Sequence, residues 1–272
     1  MSLHFTPART NKTNRRAFSW IELVVVLVVI FILLAILIPA IEHSGSSGHR
    51  MSCSYNLKQL GLAMHVYHDV HKTLPPAQML DMDGKALQSW RGLLLPYMEQ
   101  AELYEQLHLD EAWDSEHNKL VNTQSISTFI CPTADQFRKK AKVSESMRNV
   151  LTDYQLVTGP QTPFAGGKCT NLDAFERGTS QTYLIVESTT AVPRFSPVDL
   201  PYDLLDFGVL SPKSGIRAIG SHHTGGANAV FADGSSVFIA NSESENDIRD
   251  LKRMFLLADP QQKITKEQNN KE

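Results

Sequence analysis

Cysteine, positive charge and long apolar runs are all scarce in this chain. Three cysteines, Cys53, Cys131 and Cys169, stand in 272 residues, and none belongs to a C-x-x-C pair, which argues against a thiol redox centre. Lys and Arg number 26 against 29 Asp and Glu, a formal net charge of -3, so the chain is not a basic nucleic-acid binder. There is one long hydrophobic run and no second, which excludes a polytopic transporter. No nucleophile–base pair, phosphate-binding glycine loop or zinc motif can be read from the sequence, and neither a catalytic residue, a metal ligand nor a cofactor is expected.

The single run decides the class. Leu23 to Ile38 carries no polar side chain. Extended from Phe18 to Ile41, it makes a helix of roughly 36 Å, against a bilayer core of about 30 Å. Before it stand Arg9, Lys12, Arg15 and Arg16 without an acid, and after it no Lys or Arg until Arg50. That asymmetry puts the N-terminus in the cytoplasm and the rest of the chain across the cytoplasmic (inner) membrane, as a single-pass protein with a periplasmic or otherwise extracytoplasmic domain. A plain signal anchor, a cleaved secretory signal and a buried core helix are the competing readings.

Glu22 argues against the plain readings. A carboxylate at the edge of a span is costly and needs a partner. Cleavage between Ala17 and Phe18 would provide one, the new Phe18 ammonium, one helical turn away in the same chain and within reach of Glu22 in a neighbouring one.

Arg15-Arg16-Ala17-Phe18-Ser19-Trp20-Ile21-Glu22-Leu23, with the run that follows, resembles the leader of type IV pilins and type II secretion pseudopilins. Pro39 falls where many pilins have a helix-bending proline. Ala17 stands where those families usually have Gly, and Ser19-Trp20 replaces Thr-Leu. The resemblance implies cutting by a prepilin peptidase, methylation of the Phe18 amine, and assembly roles for Glu22 and Pro39.

Beyond the run, Ser44-Gly45-Ser46-Ser47-Gly48 predicts a frayed or broken join. From Cys53 a helix resumes, with Leu57, Leu60, Met64 and Tyr67 on one side, and should end near Thr73 before Pro75-Pro76. His65, His68 and His71 read as a polar, partly buried face rather than a metal site. Pro96 opens a second predicted helix, with Tyr97, Leu103, Tyr104 and Leu107 as its stripe.

Cys53-x-x-Asn56-Leu57-Lys58-Gln59-Leu60-Gly61, His65-x-x-His68-Asp69, Ser89-Trp90-Arg91 with Leu94-Leu95-Pro96-Tyr97, and Phe129-Ile130-Cys131-Pro132 resemble, in that order, a domain of unknown function abundant in planctomycete bacteria that follows a prepilin-type leader. His223 with Asp233-Gly234 matches that family's H-x9-D-G signature. Because Cys53 and Cys131 sit within family-like motifs, they form the candidate disulfide, leaving Cys169 over; three free thiols are the alternative.

In the C-terminal half, Thr182–Glu187 predicts a strand, and residues 192–215, rich in Pro and Gly, a long irregular loop. Asp233-Gly234 between two apolar runs predicts a two-residue hairpin turn with positive φ at both positions. Asp233 would then sit at the hairpin tip, out of reach of His223, which would cap or support the sheet edge. Asp199, Asp203 and Asp206 are loop carboxylates of the kind that bind calcium in some pseudopilins, although they form no motif. Ser242-Glu-Ser-Glu245 is a capping-box pattern ahead of an Ile248, Leu251, Met254, Phe255 stripe.

The expected fold is α+β: a pilin-like long N-terminal hydrophobic helix, then an exported domain with an antiparallel β-sheet, helices and long loops. The expected parts are a basic leader (1–17), a transmembrane and spine helix (18–73) interrupted at 44–48, the exported domain (74–258) and a disordered tail (259–272). The expected function is structural, as a pilin-like or pseudopilin-like subunit and not an enzyme. Its partners would be a prepilin peptidase, other copies or related subunits, and membrane lipid, with no nucleic acid. The alternatives are a monomeric membrane-tethered extracytoplasmic binding module and, more remotely, an exported hydrolase using His223 or Asp233.

Overall fold

The computed structural model describes residues 20–205, 219–242 and 244–258, with side chains described for all of these except 35–46. The chain divides into two compact units, Met1–Gly45 and Ser46–Glu272. Ala17, Phe18 and the side chain of Pro39 lie outside the described residues, as do the leader and the 259–272 tail.

In the first unit the described feature is the start of helix α1 (Trp20–His71, 52 residues), with Glu22 in its first turn. The apolar side chains from Trp20 to Leu34 are exposed. Among the described residues no helix is long and apolar enough to cross a membrane. The expected interruption at 44–48 is not seen in the backbone, which is helical through Ser44–Gly48. Ser and Gly inside a helix cost about 0.5–1 kcal/mol each relative to Ala, a penalty that weakens a helix without requiring it to break.

The second unit is a mixed α+β structure. It opens with the remainder of α1, which ends at His71 on a left-handed Lys72 (φ 60°), just ahead of the two prolines. A small antiparallel pair, β1 (Gln78–Leu80) and β2 (Ala86–Ser89), leads into α2 (Trp90–Leu93), capped by the Ser89 hydroxyl. The helix expected after Pro96 is divided. Leu95–Met98 is a 3-10 turn, Glu99 takes φ 60°, and α3 (Ala101–Glu105) starts afresh. A left-handed residue cannot continue an α-helix, so of the predicted stripe Tyr97 falls in the 3-10 turn, Leu103 and Tyr104 in α3 and Leu107 beyond it, with Leu103 and Leu107 buried. Helices α4 (Glu116–Asn122), α5 (Pro132–Lys140) and α6 (Glu145–Val150) follow.

The main sheet comprises β3 (Leu151–Thr158), β4 (Tyr183–Pro193), β5 (Leu200–Pro201), β6 (Gly226–Phe231) and β7 (Ser236–Ala240), in the order β5-β3-β4-β6-β7. Every pairing is antiparallel except the short β3–β5 contact. Alternating residues serve opposite faces, as a pleated strand requires. Leu156, Ile185 and Val230 join the core with Cys53, Leu57, Leu60, Met64 and Trp90, while Val157, Val186 and Ala229 join a second core with Phe255. The second core is covered by α7 (Glu245–Arg253), whose Ile248 and Leu251 pack on it together with the C-cap Met254. The N-cap of α7 is Ser244 rather than Ser242, whose hydroxyl instead donates to Asp247 Oδ2 and accepts the Ser244 N–H.

Within this unit α1 lies directly on the sheet. A Cβ on Gly61 would stand 3.0 Å from Val230 Cγ2. Ser54 and Ser236 hydroxyls are 2.8 Å apart, Arg50 lies over the Phe238 ring at 4.6 Å, and Asn56 Nδ2 donates to Ile130 O at 3.1 Å. The seam therefore brings the Cys53 face of α1 against the strands and against the start of α5.

Candidate functional site

Four side chains from four separate elements converge under α1. Cys53 projects from the second helical turn after Gly48. Cys131 is the N-cap of α5, placed by Pro132 in the first turn. Glu187 lies in the middle of β4. His223 belongs to the turn between the Ile219 bridge and β6, where its N–H donates to Ser221 Oγ at 2.9 Å. One ligand-type atom from each lies within 4.8 Å of all the others. His223 Nε2 is 3.6 Å from Cys131 Sγ and 3.4 Å from Glu187 Oε1.

The surroundings fix these groups. His223 Nδ1 meets Thr133 Oγ1 at 3.2 Å. Glu187 Oε2 accepts the backbone N–H of Asn228 at 2.7 Å and its Nδ2–H at 3.0 Å, whereas Glu187 Oε1 is buried without a hydrogen-bond partner. The Glu187 side chain is 1 % exposed and that of His223 3 %. Hydrogen bonding with Cys53 and then burial push the Cys131 thiol far above its ordinary range. Burial lowers the His223 pKa, but its contacts with Cys131 and Glu187 outweigh that and raise it to about 9. Close by, burial raises the Asp153 carboxyl to about 6 against the opposing pull of Arg138.

The two cysteines expected to pair are thus brought together, buried, as free thiols; Cys169 is free and exposed. His223 does more than support a sheet edge, since its ring points into this cluster. Asp233 has no part in it. It sits exposed at the β6–β7 tip, where its Oδ1 accepts from Ser235 N at 2.8 Å and Ser235 Oγ at 2.6 Å. The turn is not the predicted two-residue type. Only Gly234 has positive φ (84°), and Gly234 N bonds Phe231 O while Phe231 N bonds Ser235 O, a type I turn closed by a left-handed glycine.

Of the loop carboxylates considered for calcium, Asp199 and Asp203 are described. Asp199 is buried and committed to Arg91, whose Nη2 donates at 2.7 Å, and to the Trp90 indole N–H. Arg91 also donates to Tyr154 O, and the Asp199 Oδ1 accepts the Leu156 N–H. This pair ties the Ser89-Trp90-Arg91 segment to β3. Asp206 lies outside the described residues. Of the α1 histidines, His68 meets Asn171 and His71 meets Tyr97. Among the described residues the other grouping of metal-type side chains is His108, Glu111 and His117, which lies toward solvent.

What this geometry defines is an α+β domain organised around a closed cluster of two cysteines, one histidine and one glutamate. Residues 48–207 match the family model described as "Protein of unknown function (DUF1559)", and the chain belongs to that family. The match includes Cys53, Cys131 and Glu187, and stops before His223. No curated protein and no solved structure matches the chain.

Glu187 was missed by sequence reasoning. The signal was present, because Thr182-Tyr183-Leu184-Ile185-Val186-Glu187 reads as a strand with a buried middle running into a carboxylate, and a buried acid needs a partner.

Proposed function

We propose that the chain is a pilin-like or type II secretion pseudopilin-like subunit of the cytoplasmic membrane, cut between Ala17 and Phe18 by a prepilin peptidase. The observation that carries this reading is α1. A single 52-residue helix begins in an apolar segment with Glu22 in its first turn, and its last part packs on an antiparallel sheet through Cys53, Leu57, Leu60 and Met64. The apolar part holds the processed chain in the bilayer and later packs against other copies. Glu22 compensates the Phe18 amine of a neighbouring copy and so sets the register between subunits. The role is structural, with the exported domain presented outside the membrane.

A second reading, a monomeric tethered binding module, is favoured by one feature. A cleft of about 480 Å³ lies between the 158–168 loop and the 197–203 segment, lined by Gly159, Pro160, Lys168, Pro201 and Tyr202. Single cysteines placed in the apolar segment, for example Leu27→Cys in a chain lacking Cys169, separate the two. Crosslinked dimers in membranes are expected for a subunit, and an uncrosslinked chain would favour the tethered module.

A further inference from the structure

We propose that Cys53, Cys131, His223 and Glu187 form a structural site for a divalent transition metal of the zinc class.

The donor set comes first. Two thiols, one imidazole and one carboxylate suit zinc, which takes sulfur, nitrogen and oxygen in a tetrahedron, and do not suit magnesium or calcium, which take oxygen. Two of the six edges of such a tetrahedron already have the length that coordination requires, and all four ligand atoms lie within 4.8 Å of one another. With Zn–S of about 2.3 Å, and Zn–N and Zn–O of about 2.1 Å, tetrahedral edges are about 3.6 Å for sulfur to nitrogen and about 3.4 Å for nitrogen to oxygen. The corresponding separations are 3.6 Å from Cys131 Sγ to His223 Nε2 and 3.4 Å from His223 Nε2 to Glu187 Oε1.

Two further observations point to a ligand rather than to a packed core. Glu187 Oε1 is a buried carboxylate oxygen aimed into the cluster with no hydrogen bond of its own, while its other oxygen is held by Asn228. His223 presents Nε2 to the cluster and places Nδ1 on Thr133 Oγ1, the outer bond that fixes tautomer and ring direction in metal-bound histidines. All four ligands come from the protein and all four side chains are buried, which is the character of a closed structural site with no open position for substrate. Such a site would fasten α1, α5, β4 and the turn before β6 to one another. It also gives the His223 of the C-terminal signature a task independent of Asp233.

Binding balances simply. The two S–H bonds break, as does the Nε2–H bond of a protonated His223; two sulfur–metal, one nitrogen–metal and one oxygen–metal bond form, and the released protons leave to solvent. No oxidant is needed, in contrast to a Cys53–Cys131 disulfide, in which the same two sulfurs would each lose a hydrogen and bond to one another.

The test uses the full chain purified in detergent under reducing conditions. Metal analysis is expected to find one zinc per chain. Cobalt(II) replacement should give the thiolate-to-cobalt charge-transfer band and the intense visible bands of a tetrahedral sulfur site. Thr133→Val removes only the outer bond to His223, leaves all four ligands in place, and should weaken zinc about 10–100-fold. Cys53→Ser with Cys131→Ser should abolish the charge-transfer band. Zinc affinity equal in wild type and the double cysteine variant overturns the proposal. So does a metal-free chain whose mass, when it is isolated without reductant, shows Cys53 bonded to Cys131.

Discussion

Asn228 and Glu187 face each other across β6 and β4, with Glu187 Oε2 gripped by both the backbone and side-chain N–H groups of Asn228. The grip fixes which oxygen is left for the cluster. Hydrogen bonds to a buried carboxylate are each worth about 1.5–3 kcal/mol. Asn228→Ala should therefore lower the unfolding free energy by about that amount in urea titrations, because the backbone bond survives and the side-chain bond does not. An unchanged midpoint would mean that the amide does not hold Glu187.

The Arg91–Asp199 pair gives a sharper expectation. Both groups are fully buried; burial lowers the Arg91 pKa and raises that of Asp199, each opposed by the charge of the other. Removing one partner strands a buried charge, so Asp199→Ala should cost about 3–5 kcal/mol in denaturant unfolding. Arg91→Lys should not rescue the site, since an ammonium cannot span Tyr154 O and Asp199 as the guanidinium does. A wild-type-like Arg91→Lys would contradict this.

Gly234 takes φ 84° in the β6–β7 turn, and a Cβ there would meet the His65 ring at an ordinary 3.5 Å. The penalty for a side chain is therefore conformational and not steric. Gly234→Ala should cost about 1–2 kcal/mol, and Gly234→Asn less, because Asn tolerates the left-handed region. Thermal melts of the two variants check the order.

Asp135 ties α5 to α6 through Arg148 at 2.6 Å, and pairs with Lys139 one turn along α5 at 2.9 Å. Burial alone would raise its pKa, but the two cations prevail and lower it. A carboxylate depressed in the folded state contributes stability above its unfolded pKa and loses it as pH falls through the folded value. The urea midpoint should thus fall on acidification below the ordinary carboxylate range, and less steeply in Asp135→Asn, which starts lower at neutral pH. Parallel profiles for the two proteins would contradict this.

On the proposed function, Glu22→Ala should leave membrane insertion intact, since removing a charge only makes the N-terminal segment more apolar, but should reduce crosslinked assemblies in the membrane. Normal assembly of this variant would remove the register role from Glu22.

What could be read from the sequence was local and periodic. The helical spacing of Leu57, Leu60 and Met64, the buried strand from Tyr183 and the Asp233-Gly234 hairpin are each set by neighbours within a few residues. The errors share a cause. Glu99 and Ser244 changed element boundaries through backbone conformation, which residue type alone does not specify. The cluster was invisible for a different reason. Cys53, Cys131 and His223 stand in three separate motifs and Glu187 in none, and only the strand order β3-β4-β6 beneath α1 brings them together. Sequence reasoning selected three of the four, assigned two to a bond and one to a sheet edge, and passed over the carboxylate that joins them.

Intact-mass analysis of the chain extracted from membranes tests whether it is processed for assembly. The account predicts a chain beginning at Phe18 with one methyl group on its amine. A chain that retains Arg15-Arg16-Ala17 uncut, or that begins after Ala40, would contradict it.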